Sequence, residues 1–115
     1  MSAAEAGERP SEAARQAAVF AALGEPTRLT LLKRLSRGES RSIAQLTGAT
    51  ALTRQAVTKH LAVLERAHLV RKAKTGRERR FELVPETLTG TAAYLAEVSH
   101  EWDQALARLQ AAVES

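Results

Sequence analysis

Arg54, Gln55, Thr58 and Lys59 sit at spacings that put all four on one face of a helix, and Thr53 before them is a good helix cap. Their chemistry is recognition rather than bond-making. A guanidinium offers forked donors, a carboxamide a donor and an acceptor, a hydroxyl either, and an ammonium a point charge. Further along, Lys72, Lys74, Arg77, Arg79 and Arg80 surround Gly76. From residue 54 to residue 80 nine Lys/Arg stand against Glu65 and Glu78, a net +7 in a chain whose total is +4, so the remainder sums to −3. A solvated charged face is the plainer reading of a charge run taken alone. A capped polar face, a glycine-tipped basic stretch and a +7 segment, all adjacent, point instead to a polyanion.

The residue types fit double-stranded DNA. Arg pairs with guanine through two bonds, Gln with adenine, and Thr bonds either or touches a thymine methyl. Arg54, Gln55 and Thr58 are therefore the candidate base readers. Lys59 is assigned to phosphate, and Thr53 both caps the helix and offers its hydroxyl to the backbone. Ser42, which can cap a short preceding helix, joins the contact set with Lys74, Arg77 and Arg79.

Other chemistries are excluded or disfavoured. The chain has no cysteine, which removes disulfides, thiolate metal sites and thiol redox sensing. It shows no phosphate-cradling glycine loop, no nucleophile–base pair at motif spacing and no metal triad, so no catalytic residue, metal site or cofactor is assigned and an enzyme is not expected. Glu97, His100 and Glu101 cluster near the C-terminus, and Glu97 and His100 share a helical face; a solvated flank is the simpler reading. Met1–Pro10 lacks an apolar core, and no apolar run is long enough to span a bilayer. A cytoplasmic protein without a membrane partner is expected, and no effector is assigned.

The elements that must hold these side chains can be read in order. Residues 1–9 are expected to be flexible, and residues 10–115 to form one domain. Ser11 caps a helix to about Leu23. Glu25-Pro26 opens a second, with Leu29, Leu32 and Leu35 on one face, Leu31 beside them, and Gly38 past its end. Ser40 or Ser42 caps a short third helix carrying Ile43, Ala44 and Leu46 to Gly48. After a turn, Thr53 opens a fourth whose apolar stripe is Val57, Leu61 and Leu64. Leu69–Lys74 and Arg79–Val84 then read as strands around a Thr75–Glu78 turn, with Phe81, Leu83, Leu69 and Ala73 facing the core. A last helix runs from about Glu86 to Val113, with Gly90 a weak point. The expected fold is mainly α with a small β-hairpin: a winged helix-turn-helix of five helices and a two-stranded wing. Its helix-turn-helix covers 40–67, its wing 69–84 and its dimerisation helix 86–113. With only four aromatics, such a chain gains from a helix-packed second subunit.

Three blocks in order resemble the ArsR-type winged-helix repressors: Val19–Leu29, the recognition-helix-like Arg54–Glu65, and Ala67–Val70 with Gly76–Leu83. The resemblance implies a homodimeric repressor on a pseudo-palindromic operator, paired through its first and last helices. Phe20, Leu95, Val98, Trp102, Leu106 and Leu109 are the interface residues so implied. Two departures stand out. The family's metal sensors carry cysteines where this chain has Glu39-Ser40-Arg41-Ser42. His68 stands where the family has Gly; His is among the residues that tolerate a positive φ.

Overall fold

The computed structural model describes residues 10–114, apart from the side chains of Lys74 and Thr75. The 1–9 segment expected to be flexible lies outside the described residues.

The first four helices each start where a side chain takes up a free amide. In α1 (Glu12–Leu23) the Ser11 hydroxyl accepts from the Ala14 N–H at 3.1 Å. In α2 (Pro26–Leu35) Pro26 occupies the first turn, and the Glu25 carboxylate accepts from the Arg28 N–H at 3.0 Å. A two-residue strand, β1 (Arg41–Ser42), leads into α3 (Ile43–Gly48). Ser42 and Gln45 cap α3 reciprocally: the Ser42 hydroxyl accepts from the Gln45 N–H at 3.1 Å, and Gln45 Oε1 accepts from the Ser42 N–H at 2.9 Å. In α4 (Arg54–Arg66) the Thr53 hydroxyl accepts from the Ala56 N–H at 3.2 Å. Strands β2 (Val70–Thr75) and β3 (Glu78–Leu83) follow, then α5 (Pro85–Glu114).

The expected mainly α winged fold is present, and its hairpin belongs to a three-stranded antiparallel sheet of order β1-β3-β2. The extra strand is β1, which pairs Arg41 with Phe81 and Ser42 with Arg80. Two residues are too few to show a period of two, so nothing in the sequence marks them as a strand.

The chain falls into two compact units, one ending at Pro85 and the other beginning at Glu86. In the first unit the core is aliphatic: Leu31, Leu35, Leu46, Val57, Leu61, Leu64 and Leu69 are fully enclosed, with Val70 and Phe81 beside them. Two expectations are corrected here. Leu29, read as part of the buried stripe of α2, is 47% exposed, and Leu31 holds the core position. Ala73, read as core-facing, pairs with Arg80, whereas Val70 pairs with Leu83 and Lys72 with Phe81. Paired residues share a face, so Val70 sides with Phe81 and Leu83, and Ala73 lies on the other face.

The far end of α4 is fixed by His68. Its φ is +61°, the left-handed conformation expected for this position. The His68 N–H bonds the Glu65 carbonyl at 3.0 Å and the Leu69 N–H bonds the Leu64 carbonyl at 2.9 Å. These are the two bonds of a Schellman cap, and Leu64 and Leu69 supply its apolar contact, both fully buried.

The second unit is α5. It is a continuous 30-residue helix, so Gly90 does not split off a first turn. Its length is about 45 Å at 1.5 Å per residue. Along it Leu95, Trp102, Leu106, Leu109 and Val113 are exposed, and Val98 is half-buried. Among the described residues no helix is long and apolar enough to cross a membrane.

Candidate nucleic-acid interface

The amphipathic pattern of α4 decides what its polar face can offer. Val57, Leu61 and Leu64 are locked inside, which leaves Arg54, Gln55, Thr58 and Lys59 exposed together around one shallow depression of about 490 Å³. Thr58 donates its hydroxyl proton to the Arg54 carbonyl at 2.8 Å, so it presents a methyl and oxygen lone pairs outward. Thr53 uses a lone pair in its cap and keeps its proton as a donor.

Next to that depression lies a cleft of about 560 Å³ lined by Ser42, Ile43, Ala44, Arg54, Thr58, Arg77, Glu78 and Arg79. It joins the start of α3, the start of α4 and the tip of the hairpin. Strand alternation places Arg79 on the same face of β3 as Phe81 and Leu83, so its guanidinium emerges on the helical side. Ser42 lines the cleft but is buried, with its hydroxyl engaged in the α3 cap. Gln55 and Lys59 lie on the adjoining depression, outside the cleft. The side chain of Lys74 lies outside the described residues.

The basic segment divides into two groups. Arg71 pairs with Glu82 at 2.7 Å, Arg80 with Glu78 at 2.8 Å, and Lys72 approaches Glu65 at 3.9 Å. The first of these pairs joins β2 to β3, the second lies within β3, and the third joins β2 to α4. Among the described residues, Arg54, Lys59, Arg66, Arg77 and Arg79 have no carboxylate partner. Their charge is not cancelled locally, and four of them border the depression and the cleft. Close unpaired cations repel one another, and an approaching polyanion relieves that repulsion.

A second cluster supports α4 from behind, and of its members the sequence marks Glu25 alone, as the opener of a helix. Arg28 donates to the Ala22 carbonyl at 2.6 Å and the Ala21 carbonyl at 3.3 Å, closing the end of α1. Its guanidinium also lies 3.3 Å from His60 Nδ1 on α4, and Glu25 lies 3.6 Å from the same nitrogen. His60 is thus a packing residue of the helix rather than a surface one. Burial pushes the Glu25 carboxyl up. The N–H bonds of Arg28 and Thr27 and the nearby charges of His60 and Arg28 outweigh that and hold it below the ordinary carboxylate range. The usable signal was the position of Glu25, directly before Pro26, where a carboxylate caps a helix.

Glu97, His100 and Glu101 border a surface depression on α5. Among the described residues no group of three or more His, Cys, Asp or Glu is placed to hold a metal ion.

Comparison with known proteins agrees with this geometry. Residues 23–73 match the family described as "Helix-turn-helix domain". The chain is 40% identical over 68 residues to an uncharacterized HTH-type transcriptional regulator, YuzN, of Bacillus subtilis, covering 54% of this chain and 74% of that protein. The structure of an ArsR-like transcriptional regulator from Rhodococcus sp. RHA1 superposes with a TM-score of 0.77 at 38% identity, covering 84% of this chain and 91% of the other. The homodimeric winged helix-turn-helix DNA-binding domain of Mb0332 from Mycobacterium bovis shares the fold, with a TM-score of 0.64 at 19% identity over 90% of this chain and 93% of that one.

Proposed function

Because the chain belongs to the ArsR-type winged helix-turn-helix transcriptional regulators, we propose that it works as a homodimeric repressor of a pseudo-palindromic operator. The family acts by binding DNA and not by catalysis. The observation that carries the finer reading is the set of unpaired cations, Arg54, Lys59, Arg77 and Arg79, gathered where α4 meets the hairpin.

In this reading α4 enters the major groove with its N-terminal half leading. Arg54 and Gln55 read base edges, the Thr58 methyl faces thymine, and Thr53 and Lys59 bond phosphates. One DNA strand passes through the cleft, and Arg77 and Arg79 follow it to the backbone or minor groove beyond. Two copies related by a two-fold axis read half-sites about one helical turn, roughly 34 Å, apart. The homodimeric state of the Mycobacterium bovis neighbour supports the pairing. Occupying an operator in this way blocks transcription of the gene beside it.

Selection of bound genomic fragments by the purified protein supplies the operator. A salt titration on it then tests the interface. A dimer neutralising about eight phosphates gives a log–log slope near −7. Lys59→Ala weakens binding alike on all sequences and reduces that slope by about one unit, while Arg54→Ala and Gln55→Ala relax sequence preference. A flat salt response overturns the DNA reading. Equal loss of preference from all three substitutions overturns the division of labour.

A further inference from the structure

We propose that Arg80, although it belongs to the basic hairpin, is a positioning residue that sets the wing against the helix-turn-helix and does not itself bond DNA. This inference rests on the DNA-binding reading above.

Every arm of its guanidinium is committed inside the protein. Nε donates to the Ser40 hydroxyl at 2.9 Å, and Nη2 donates to the Ser40 carbonyl at 2.7 Å. Nη1 donates to Glu78 at 2.8 Å, and Nη2 also reaches Gln45 Oε1 at 3.5 Å. The side chain is only 21% exposed. Gln45 Oε1 is the same oxygen that accepts from the Ser42 N–H in the α3 cap. A single planar fork therefore links β3, the loop before β1 and the cap of α3, and α3 packs directly on α4.

The wing needs such a link. The β1–β3 pairing spans two residues, too little backbone to fix a register alone. Slippage by one residue would turn Phe81 out of the core and Arg79 out of the cleft together, because side chains alternate. Arg80 opposes Ser42 across this pairing, and its bonds to Ser40 exist in one register only. Charge alone cannot replace it: a lysine ammonium lacks the rigid fork that meets two acceptors of one residue at once.

Two measurements test this. In the free protein, amide hydrogen exchange over 41–42 and 78–83 speeds up in Arg80→Gln and Arg80→Lys relative to the α4 core. Unchanged exchange in both overturns the pin. On a short fluorescein-labelled duplex of mixed sequence, both variants lose about tenfold in affinity. In an Arg77→Ala/Arg79→Ala background the same changes cost less than about twofold, because the wing they position no longer contributes. Near-normal affinity for Arg80→Lys with a large loss for Arg80→Gln identifies a direct phosphate contact and overturns the proposal. So does an equal loss in both backgrounds. If the unaltered chain retains no duplex, it is the DNA reading that falls, and the exchange rates still decide the pin.

Discussion

Single side chains in this protein are sorted by what their neighbours leave them free to do. Arg79 and Arg80 are adjacent and chemically identical, yet one is unpaired beside the cleft and the other is bonded on every arm. Their difference comes from strand alternation and from Ser40 lying forty residues away in sequence, so composition could not reveal it. His68 is the opposite case, because its strain was legible through the resemblance: it stands where the family has Gly. The left-handed φ of +61° costs an L-residue roughly 1–2 kcal/mol. Glycine removes that cost but gives back about 0.4–1 kcal/mol through its freer unfolded chain. His68→Gly is therefore expected to stabilise the protein by about 0.5–1 kcal/mol. Urea denaturation measures this, with an unchanged slope showing that the compactness of both states is retained. A loss of stability would mean that the His68 side chain contributes more than the strain removes.

At the level of elements, helix starts were legible because capping is local. Ser11, Glu25-Pro26, Ser42 and Thr53 each announce a helix within four residues of its first turn, and all four serve as expected. The sheet was less legible because its partners are distant. Alternation counted from Leu69 puts Ala73 on the core face, but Leu69 is buried by the Schellman cap and the strand begins at Val70. The strand β1 exists only because β3 is there to pair with it. The Glu25–Arg28–His60 junction has the same character, since its Arg28–His60 contact joins α2 to α4 across 32 residues. It also carries a pH signature. The Glu25 carboxyl is held below its ordinary range, so its contribution is complete above the unfolded carboxylate value and is lost as pH falls through the folded one. Glu25→Gln should lower the denaturation midpoint at pH 7, and the gap from the unaltered chain should close as the pH drops from about 5 to about 3. An equal gap at both ends of that range would show that the charge of Glu25 is not what holds the junction.

For the whole molecule the question is what completes α5. A helix is stable in water mainly through the apolar face it buries. Within α5, Thr91 alone is buried, while Leu95, Trp102, Leu106, Leu109 and Val113 stand exposed. Their spacings of seven, four, three and four residues keep them on one stripe, the pattern by which helices pair lengthwise. In the first unit Phe20 is also exposed, at 38%, on an α1 whose outward side is otherwise mostly alanine. Both faces suit the second copy proposed above, and of the chain's four aromatics Phe81 fills the core, Tyr94 is half-buried, and Phe20 and Trp102 are exposed. Trp102, 65% exposed, carries the largest apolar area on the stripe. Burying such a side chain is worth roughly 1.5–3 kcal/mol, and a glutamate in its place adds the cost of an unpaired charge. Trp102→Glu is expected to raise the dimer dissociation constant by more than about tenfold, read by sedimentation equilibrium or light scattering. The first unit should keep its circular dichroism signature, while the apparent denaturation midpoint falls with the lost pairing. On DNA, each monomer would then bind a single half-site, and the salt slope should fall to about half that of the dimer. A dimeric mass retained by Trp102→Glu would remove α5 from the interface and leave the exposed face of α1, with Phe20, as the surface that pairs.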